Sequence, residues 1–227
     1  LLNFLFSVSL CLCGKHMFSD LRPAVDHVLQ SFDVEQSTHF KQIVRDELSK
    51  VNPQIQISTL HKKRLNELYE LRSQYLDWEL GTGYLGFFSE NAGTRYTFTR
   101  RMEVVYHLLP ELTPESKVLE LGCGAGLFCL ELAQKSNIVV GTDISFFVLD
   151  FANRVKEYVK CDHVSFQLGD AETLMFRDQM FDLVVCSEVL EHLLSPEKVL
   201  AEIRRVIKNT GTVIITTPCA VSLSDMT

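Results

Sequence analysis

Two hydrophobic periodicities divide the chain into two parts. From about residue 19 to residue 80, apolar side chains recur every three or four positions, which predicts amphipathic helices. After Ser116, short β-branched runs alternate with helical patterns, an order typical of a parallel sheet with crossover helices. We therefore predict a helical amino-terminal extension at residues 17–116 and an α/β domain at residues 117–227. Residues 1–16 stay unassigned, as a leader or the end of a fragment.

The second part contains the elements of a doubly wound, mostly parallel sheet. Strands are predicted at residues 117–121, 138–142, 164–168, 181–186 and 212–217. Helices are predicted at residues 126–135, 146–160 and 196–208, with a weaker helical piece at 171–174. Before them, a stretch rich in glycine and aromatic residues, 81–93, is not expected to be regular helix, and a short helix is predicted at 99–109.

A glycine-rich turn between the first predicted strand and its helix is the most informative local feature. Gly122, Gly124 and Gly126 alternate there, and side chains at these positions would block the approach of a ligand to the backbone. The spacing is G-x-G-x-G. The dinucleotide fingerprint G-x-G-x-x-G would require glycine where this chain has Leu127.

This turn resembles motif I of the class I S-adenosylmethionine-dependent methyltransferases, and three later segments match that family in the same order. The resemblance covers about residues 117–218 and implies a Rossmann-like fold with S-adenosylmethionine as cofactor. It implies that Asp143 binds the ribose, that Asp170 and Ala171 hold the adenine, and that Ser187 faces the methionine portion. The full implied set is Glu120, Gly122, Cys123, Gly124, Gly126, Asp143, Ile144, Asp170, Ala171 and Ser187.

Two acidic residues of that set also have a simpler interpretation. Taken alone, Asp143 or Asp170 is more often a helix N-cap than a ligand contact. The thiol of Cys123 is expected to be inert, with the backbone of the loop facing the ligand. Only the order of the four segments favours a cofactor site over local structure.

The segment after the fourth predicted strand, Ser187 to Leu193, holds the candidate catalytic residues. It resembles a stretch of ubiquinone-pathway O-methyltransferases and related small-molecule enzymes, and part of the small-RNA 3′-end methyltransferases, in which two glutamates and a histidine bind a metal. Glu188 and His192 are candidate general bases. Alternatively, the segment is a hydrogen-bonded turn that supports the cofactor pocket. We predict no metal site, because no histidine follows His192 to complete one.

Charge and cysteine content limit the class of partner and the cellular location that the sequence predicts. Lys and Arg total 22 against 29 for Asp and Glu, a net charge of −7, which argues against broad nucleic-acid binding and favours a small-molecule acceptor. Arg100 and Arg101 form a small basic cluster that is expected to be a solvated helix face. The seven cysteines are odd in number and scattered, which favours a reducing, cytoplasmic location. The apolar run 1–12 is shorter than the roughly 20 residues of a membrane span, although a signal or anchor stays possible.

The sequence therefore predicts an S-adenosylmethionine-dependent methyltransferase that acts on a small molecule at oxygen, nitrogen or carbon. The alternatives are an RNA methyltransferase with a Glu/Glu/His metal site and a non-catalytic partner protein of the same fold. Domains of the family it resembles continue past the fifth strand, and the sequence does not begin with Met. The sequence is therefore expected to be a fragment at both ends, with the sheet truncated after the fifth strand. Nothing in the sequence indicates an oligomeric state.

Overall fold

The computed structural model describes residues 21–29, 92–193 and 195–218. The elements in chain order are α1 (Arg22–Leu29), α2 (Ala92–His107), β1 (Lys117–Leu121), α3 (Leu127–Leu132), β2 (Ile138–Asp143), α4 (Phe146–Val159), β3 (Val164–Leu168), β4 (Phe181–Ser187), a 3₁₀ helix (Leu190–His192), α5 (Pro196–Val206) and β5 (Ile207–Thr216).

The five strands form one parallel sheet in the order β3-β2-β1-β4-β5. The predicted α/β, doubly wound fold is confirmed. The central strands β1 and β4 are buried along nearly their whole length, because helices cover both faces of a parallel sheet. Connections run from β1 outward to β3 and then return to the other side of β1. This reversal places a crevice at the carboxyl ends of β1 and β4, where ligands of such sheets bind.

Successive residues of the central strands point into two separate hydrophobic layers. In β4, Leu183 and Val185 belong to the layer that contains α1, α3 and α4. Val184 and Cys186 belong to the opposite layer, which contains α5. The alternation follows from the two-residue period of a strand, and it fixes which helices lie on each face of the sheet.

The short helix α1 packs against α4 and belongs to the first layer. Ala24, Val25 and Val28 are buried there. The ring of His27 lies 4.7 Å from the ring of Tyr158, measured between centroids. A segment that ends 88 residues before the start of β1 therefore contributes to the same core as the sheet.

Several predicted boundaries were wrong. Helix α2 begins at Ala92 rather than residue 99, so Gly93 lies inside it. Helix α5 ends at Val206, and β5 begins at Ile207 instead of residue 212. The reason is that Ile207 already pairs with Phe181, ahead of a register shift before Leu183.

The weak helix predicted at residues 171–174 is a turn. The side-chain Oδ1 of Asp170 accepts the amide of Glu172 at 2.9 Å, and this local bond competes with helix formation. The helices and the glycine-aromatic stretch predicted between residues 30 and 91 lie outside the described residues. Within the part that the structure describes, none of the helices is both long and apolar enough to cross a bilayer.

Truncation of a core residue tests the packing of α1. Val25→Ala removes a fully buried side chain and should lower the free energy of unfolding by about 2 kcal/mol. Urea denaturation of the two proteins measures the difference. The control is Arg22→Ala, which removes an exposed ion pair with Asp26 and should cost less than about 1 kcal/mol. Equal, small effects of both substitutions would show that α1 is not part of the core.

Candidate active site

The glycine loop connects β1 to α3 at the carboxyl end of the sheet. All three loop glycines have positive φ, +67° for Gly122, +51° for Gly124 and +72° for Gly126. A Cβ at Gly122 would overlap the side chain of Val189, and one at Gly126 would overlap the ring of Phe166. The loop therefore requires glycine at both ends, for its backbone conformation and for space.

The carboxylate of Asp143, at the end of β2, is bound to this loop. It is only 6% exposed. Its Oδ2 accepts the amide of Gly124 at 2.9 Å, and its Oδ1 accepts the amide of Ser145 at 3.0 Å. The N-cap of α4 is Ser145, whose Oγ accepts the amide of Val148. Asp143 thus shapes the loop and its own turn, and the simpler interpretation as the helix cap does not apply. Ile144, between these two residues, is half-buried.

Glu120 lies beneath the loop and is also 6% exposed. Burial raises the pKa of Glu120 to about 8, the hydrogen bond from the Cys129 thiol opposes this rise, and the charge of Asp143 adds to it. The thiol donates to Oε2 at 2.8 Å. At neutral pH the side chain of Glu120 is therefore mainly a neutral carboxylic acid.

Two cysteines fill the remaining space under the loop. The sulfurs of Cys123 and Cys129 both lie within 2.9 Å of the position that a Cβ on Gly141 would take. Burial raises the pKa of the Cys123 thiol to about 11, and it raises that of Cys129 as well. Both groups stay protonated at neutral pH, so neither is a reactive thiolate.

Asp170 and Ala171 follow β3 and lie next to the end of β2. The amide of Gly169 donates to the carbonyl oxygen of Asp143 at 2.9 Å. Asp170 closes the next turn through its side chain, which accepts the amide of Glu172, and through its carbonyl, which accepts the amide of Thr173. Both Asp170 and Ala171 are half-buried. The two acidic residues predicted for ribose and adenine are thus brought to neighbouring strand ends.

Hydrogen bonds link the ends of β4 and β5. The hydroxyl of Ser187 donates to Thr216 Oγ1 at 2.8 Å, and Thr216 Oγ1 donates to Glu188 Oε1 at 2.9 Å. The amide of Glu188 donates to the carbonyl of Thr216 at 2.9 Å. Glu188 has φ +57°, a left-handed backbone conformation that is unfavourable for a residue with a side chain. The strand end therefore holds the glutamate in a strained but well-defined position.

Arg101 is a site residue that the sequence analysis missed. Its Nη1 lies 3.3 Å from Glu188 Oε2, and its guanidinium lies 4.7 Å from the ring centre of Phe98. Its Nε is buried, and among the described residues it has no hydrogen-bond partner. The expectation of a solvated helix face was therefore wrong for Arg101. The pairing joins positions 87 residues apart, and no local pattern signals it.

His192 ends the 3₁₀ helix and has a 46% exposed side chain. Its Nε2 lies 3.8 Å from Glu191 Oε1. Across residues 21–29, 92–193 and 195–218, no three His, Cys, Asp or Glu side chains converge as a metal ion would require. The Glu/Glu/His metal hypothesis thus gains no support from these positions.

Comparison with known proteins decides the family. A family model described as a methyltransferase domain matches residues 112–226, just over half of the chain. The chain belongs to this methyltransferase family. The resemblance to class I S-adenosylmethionine-dependent methyltransferases is thereby confirmed.

Individual relatives agree with this assignment. The ubiquinone biosynthesis O-methyltransferase of Coxiella burnetii is 34% identical over 100 residues, which are 44% of this chain and 42% of that protein. The PH0226 protein of Pyrococcus horikoshii OT3 has a similar structure, with a TM-score of 0.50 and 29% identity over 60% of this chain and 58% of that one. The sequence match covers 42% of the Coxiella enzyme, so this chain spans less than half the length of the methyltransferase relatives that it matches in sequence.

One further structure shares the fold. Phosphoethanolamine N-methyltransferase 1 of Haemonchus contortus, solved with phosphoethanolamine and S-adenosylhomocysteine, has a TM-score of 0.59 and 18% identity. The likeness covers 73% of this chain and 34% of that one. At this level of identity it shows a common architecture.

The buried acid Glu120 predicts a pH dependence of stability. Its pKa is about 8 in the folded protein, above the ordinary value of 4.5, so its contribution is complete below pH 4.5 and is lost as pH rises to about 8. Across that window the loss should be roughly 1.4 kcal/mol per pH unit. Glu120→Gln, which cannot ionise, should therefore gain stability relative to the wild type between pH 5 and pH 8.

Urea unfolding at each pH measures this difference. Glu157→Gln, a change at an exposed glutamate of α4, is the control and should track the wild type. A constant difference between Glu120→Gln and the wild type across the range would contradict the raised pKa.

Proposed function

We propose that this chain binds S-adenosylmethionine and transfers its methyl group to oxygen, nitrogen or carbon of a small-molecule acceptor. The observation that carries the proposal is the buried Asp143 carboxylate at the carboxyl end of β2, bonded to the amide of Gly124. It lies beside the sheet reversal where ligands of this fold bind. Family membership independently supports methyl transfer.

The residues present fit a nucleoside cofactor. The three loop glycines present backbone instead of side chains at the carboxyl end of β1, and a carboxylate accepts hydrogen bonds from hydroxyl groups such as those of a ribose. In this proposal Asp143 accepts the ribose hydroxyls, while Asp170 and the backbone of Ala171 hold the adenine. The backbone of Gly122 and Cys123, with Ser187, faces the methionine portion.

The cofactor, when bound, supplies a methyl group on a positively charged sulfur, so the protein needs no strong catalytic group of its own. Its residues have to align the acceptor's lone pair and exclude water, which lowers the entropic cost of the reaction. In this proposal the loop glycines and the end of β4 provide the rigid floor on which the acceptor is aligned.

Glu188 is the candidate base that the contacts favour. Its carboxylate is held at the end of β4 by Thr216 and Arg101, so it has a defined place from which to accept a proton from a hydroxyl or ammonium acceptor. The side chain of His192 is 46% exposed, against 22% for Glu188, and its Nε2 lies 3.8 Å from Glu191 Oε1. We therefore assign His192 the secondary role.

The preference for a small-molecule acceptor rests on charge and on the relatives. The chain carries a net charge of −7, which opposes binding to a polyanion. The Coxiella relative acts, by its name, in ubiquinone biosynthesis. The described residues provide no observation that favours RNA or a non-catalytic role.

Calorimetry with S-adenosylmethionine tests the ribose assignment. Asp143→Asn keeps the size of the side chain but removes its charge, and it should weaken binding roughly 10- to 100-fold, the value of charged hydrogen bonds. Asp150→Asn, on α4 beside Arg154, is the matched control and should bind as the wild type does. Melting temperatures of both variants separate lost binding from lost folding.

Two results would contradict the proposal. Unchanged affinity in Asp143→Asn would refute the ribose assignment. A wild-type protein that does not bind S-adenosylmethionine would refute the proposed cofactor.

A further inference from the structure

The loop between β3 and β4 is attached to helix α5 by a charged pair. Arg205 donates to two loop carbonyls, those of Leu174 at 2.9 Å and Phe176 at 2.6 Å. It also donates to the carboxylate of Asp178 at 2.8 Å. One guanidinium thus contacts three positions of a loop that has no regular secondary structure of its own.

Glu202 completes the attachment one turn earlier on α5. Its Oε2 accepts the amide of Leu174 at 2.7 Å, and its two oxygens accept Nε and Nη2 of Arg205, each at 2.8 Å. The hydrogen bonds from Arg205 lower the pKa of Glu202, an effect that burial opposes and the amide of Leu174 reinforces. The amide and the carbonyl of Leu174 are therefore both fixed by the same ion pair.

This attachment reaches the predicted adenine-binding turn. Leu174 follows Asp170 by four residues, and the turn between them is closed by the amides of Glu172 and Thr173 on Asp170. The carboxylate of Glu172, which is buried, lies 3.6 Å from Nζ of Lys198, also on α5. Helix α5 thus holds the turn at its middle and at its end.

We infer that Arg205, together with Glu202, is a positioning residue that fixes Asp170 and so determines how strictly the site selects adenine over other bases. The inference rests on the proposed function, because it assumes that Asp170 meets the base of the cofactor. The planar guanidinium is required, since an ammonium group does not bridge two carbonyls and a carboxylate in the same geometry.

The effect is expected on selectivity more than on folding. Leu174 is buried in the core layer of α5, and the ring of Phe176 contacts that of Phe181 edge-on at 5.1 Å. These apolar contacts keep the loop on the protein when the charged pair is weakened. The position of Asp170 would then vary, while the glycine loop and Asp143, which belong to other elements, would keep their places.

The experiment compares two nucleosides that differ at the base. Calorimetry measures the affinities of S-adenosylhomocysteine and of S-inosylhomocysteine. In the second compound an oxygen replaces the exocyclic amine, whose hydrogen bond Asp170 would accept. The wild type should prefer the adenosine compound about tenfold, the value of one buried hydrogen bond. In Arg205→Lys and in Glu202→Gln this preference should fall to about twofold or less, through weaker binding of the adenosine compound alone.

Arg154→Lys is the matched control, because Arg154 forms an exposed ion pair on α4 away from the loop. It should keep the wild-type preference. Thermal unfolding of every variant accompanies the titrations. If Arg205→Lys does not fold, Glu202→Gln decides, since it weakens the acceptor of the Leu174 amide and the ion pair with Arg205 while the guanidinium stays in place.

Each outcome decides the inference. If both variants keep the wild-type preference, or lose affinity for the two nucleosides equally, Arg205 has no positioning role and the proposed function stands. If the wild type binds neither nucleoside, the proposed function fails and this inference fails with it. Loss of the preference with unchanged binding of the inosine compound supports the inference.

Discussion

The hydrogen bonds of one buried residue, Asp143, organise the carboxyl end of this sheet. Asp143 accepts amides from the glycine loop and from the turn into α4, and its own carbonyl accepts the amide of Gly169 after β3. A carboxylate removed from water is costly unless such donors surround it. The loop backbone therefore has to approach closely, and only glycine at its ends permits that approach. Three strand ends are thus linked by the side chain and the backbone carbonyl of one residue.

The two acids near this loop, Asp143 and Glu120, have different surroundings and therefore different roles in the structure. The Asp143 carboxylate accepts two peptide amides, whereas the Glu120 carboxyl accepts a thiol hydrogen bond from Cys129 and is buried. Burial favours the neutral form of Glu120 and leaves Asp143 as the acid that organises the loop. Asp143 therefore holds the loop through its hydrogen bonds, and Glu120 packs beneath that loop.

The sequence predicted the sheet and the glycine loop because the patterns that indicate them are local. An apolar strand, three glycines and an acid at the next strand end lie within 27 residues, from Lys117 to Asp143. The contacts of Arg101 and Arg205 were not predictable in this way, since each joins a helix to a distant loop or strand end. Sequence alone predicts that a charged residue on a helix is solvated, because its partner in the folded structure is not known. The early start of β5 depends on pairing with Phe181, which a one-strand pattern does not contain.

The backbone of Glu188 has a consequence for how this position can change over time. A left-handed conformation costs a side-chain-bearing residue roughly 1 kcal/mol that glycine does not lose. The carboxylate partly offsets this through Thr216 and Arg101. A descendant of this chain that no longer needed the acid would gain stability by replacing it with glycine or asparagine. The residue found at position 188 in divergent descendants therefore indicates whether the carboxylate was still needed.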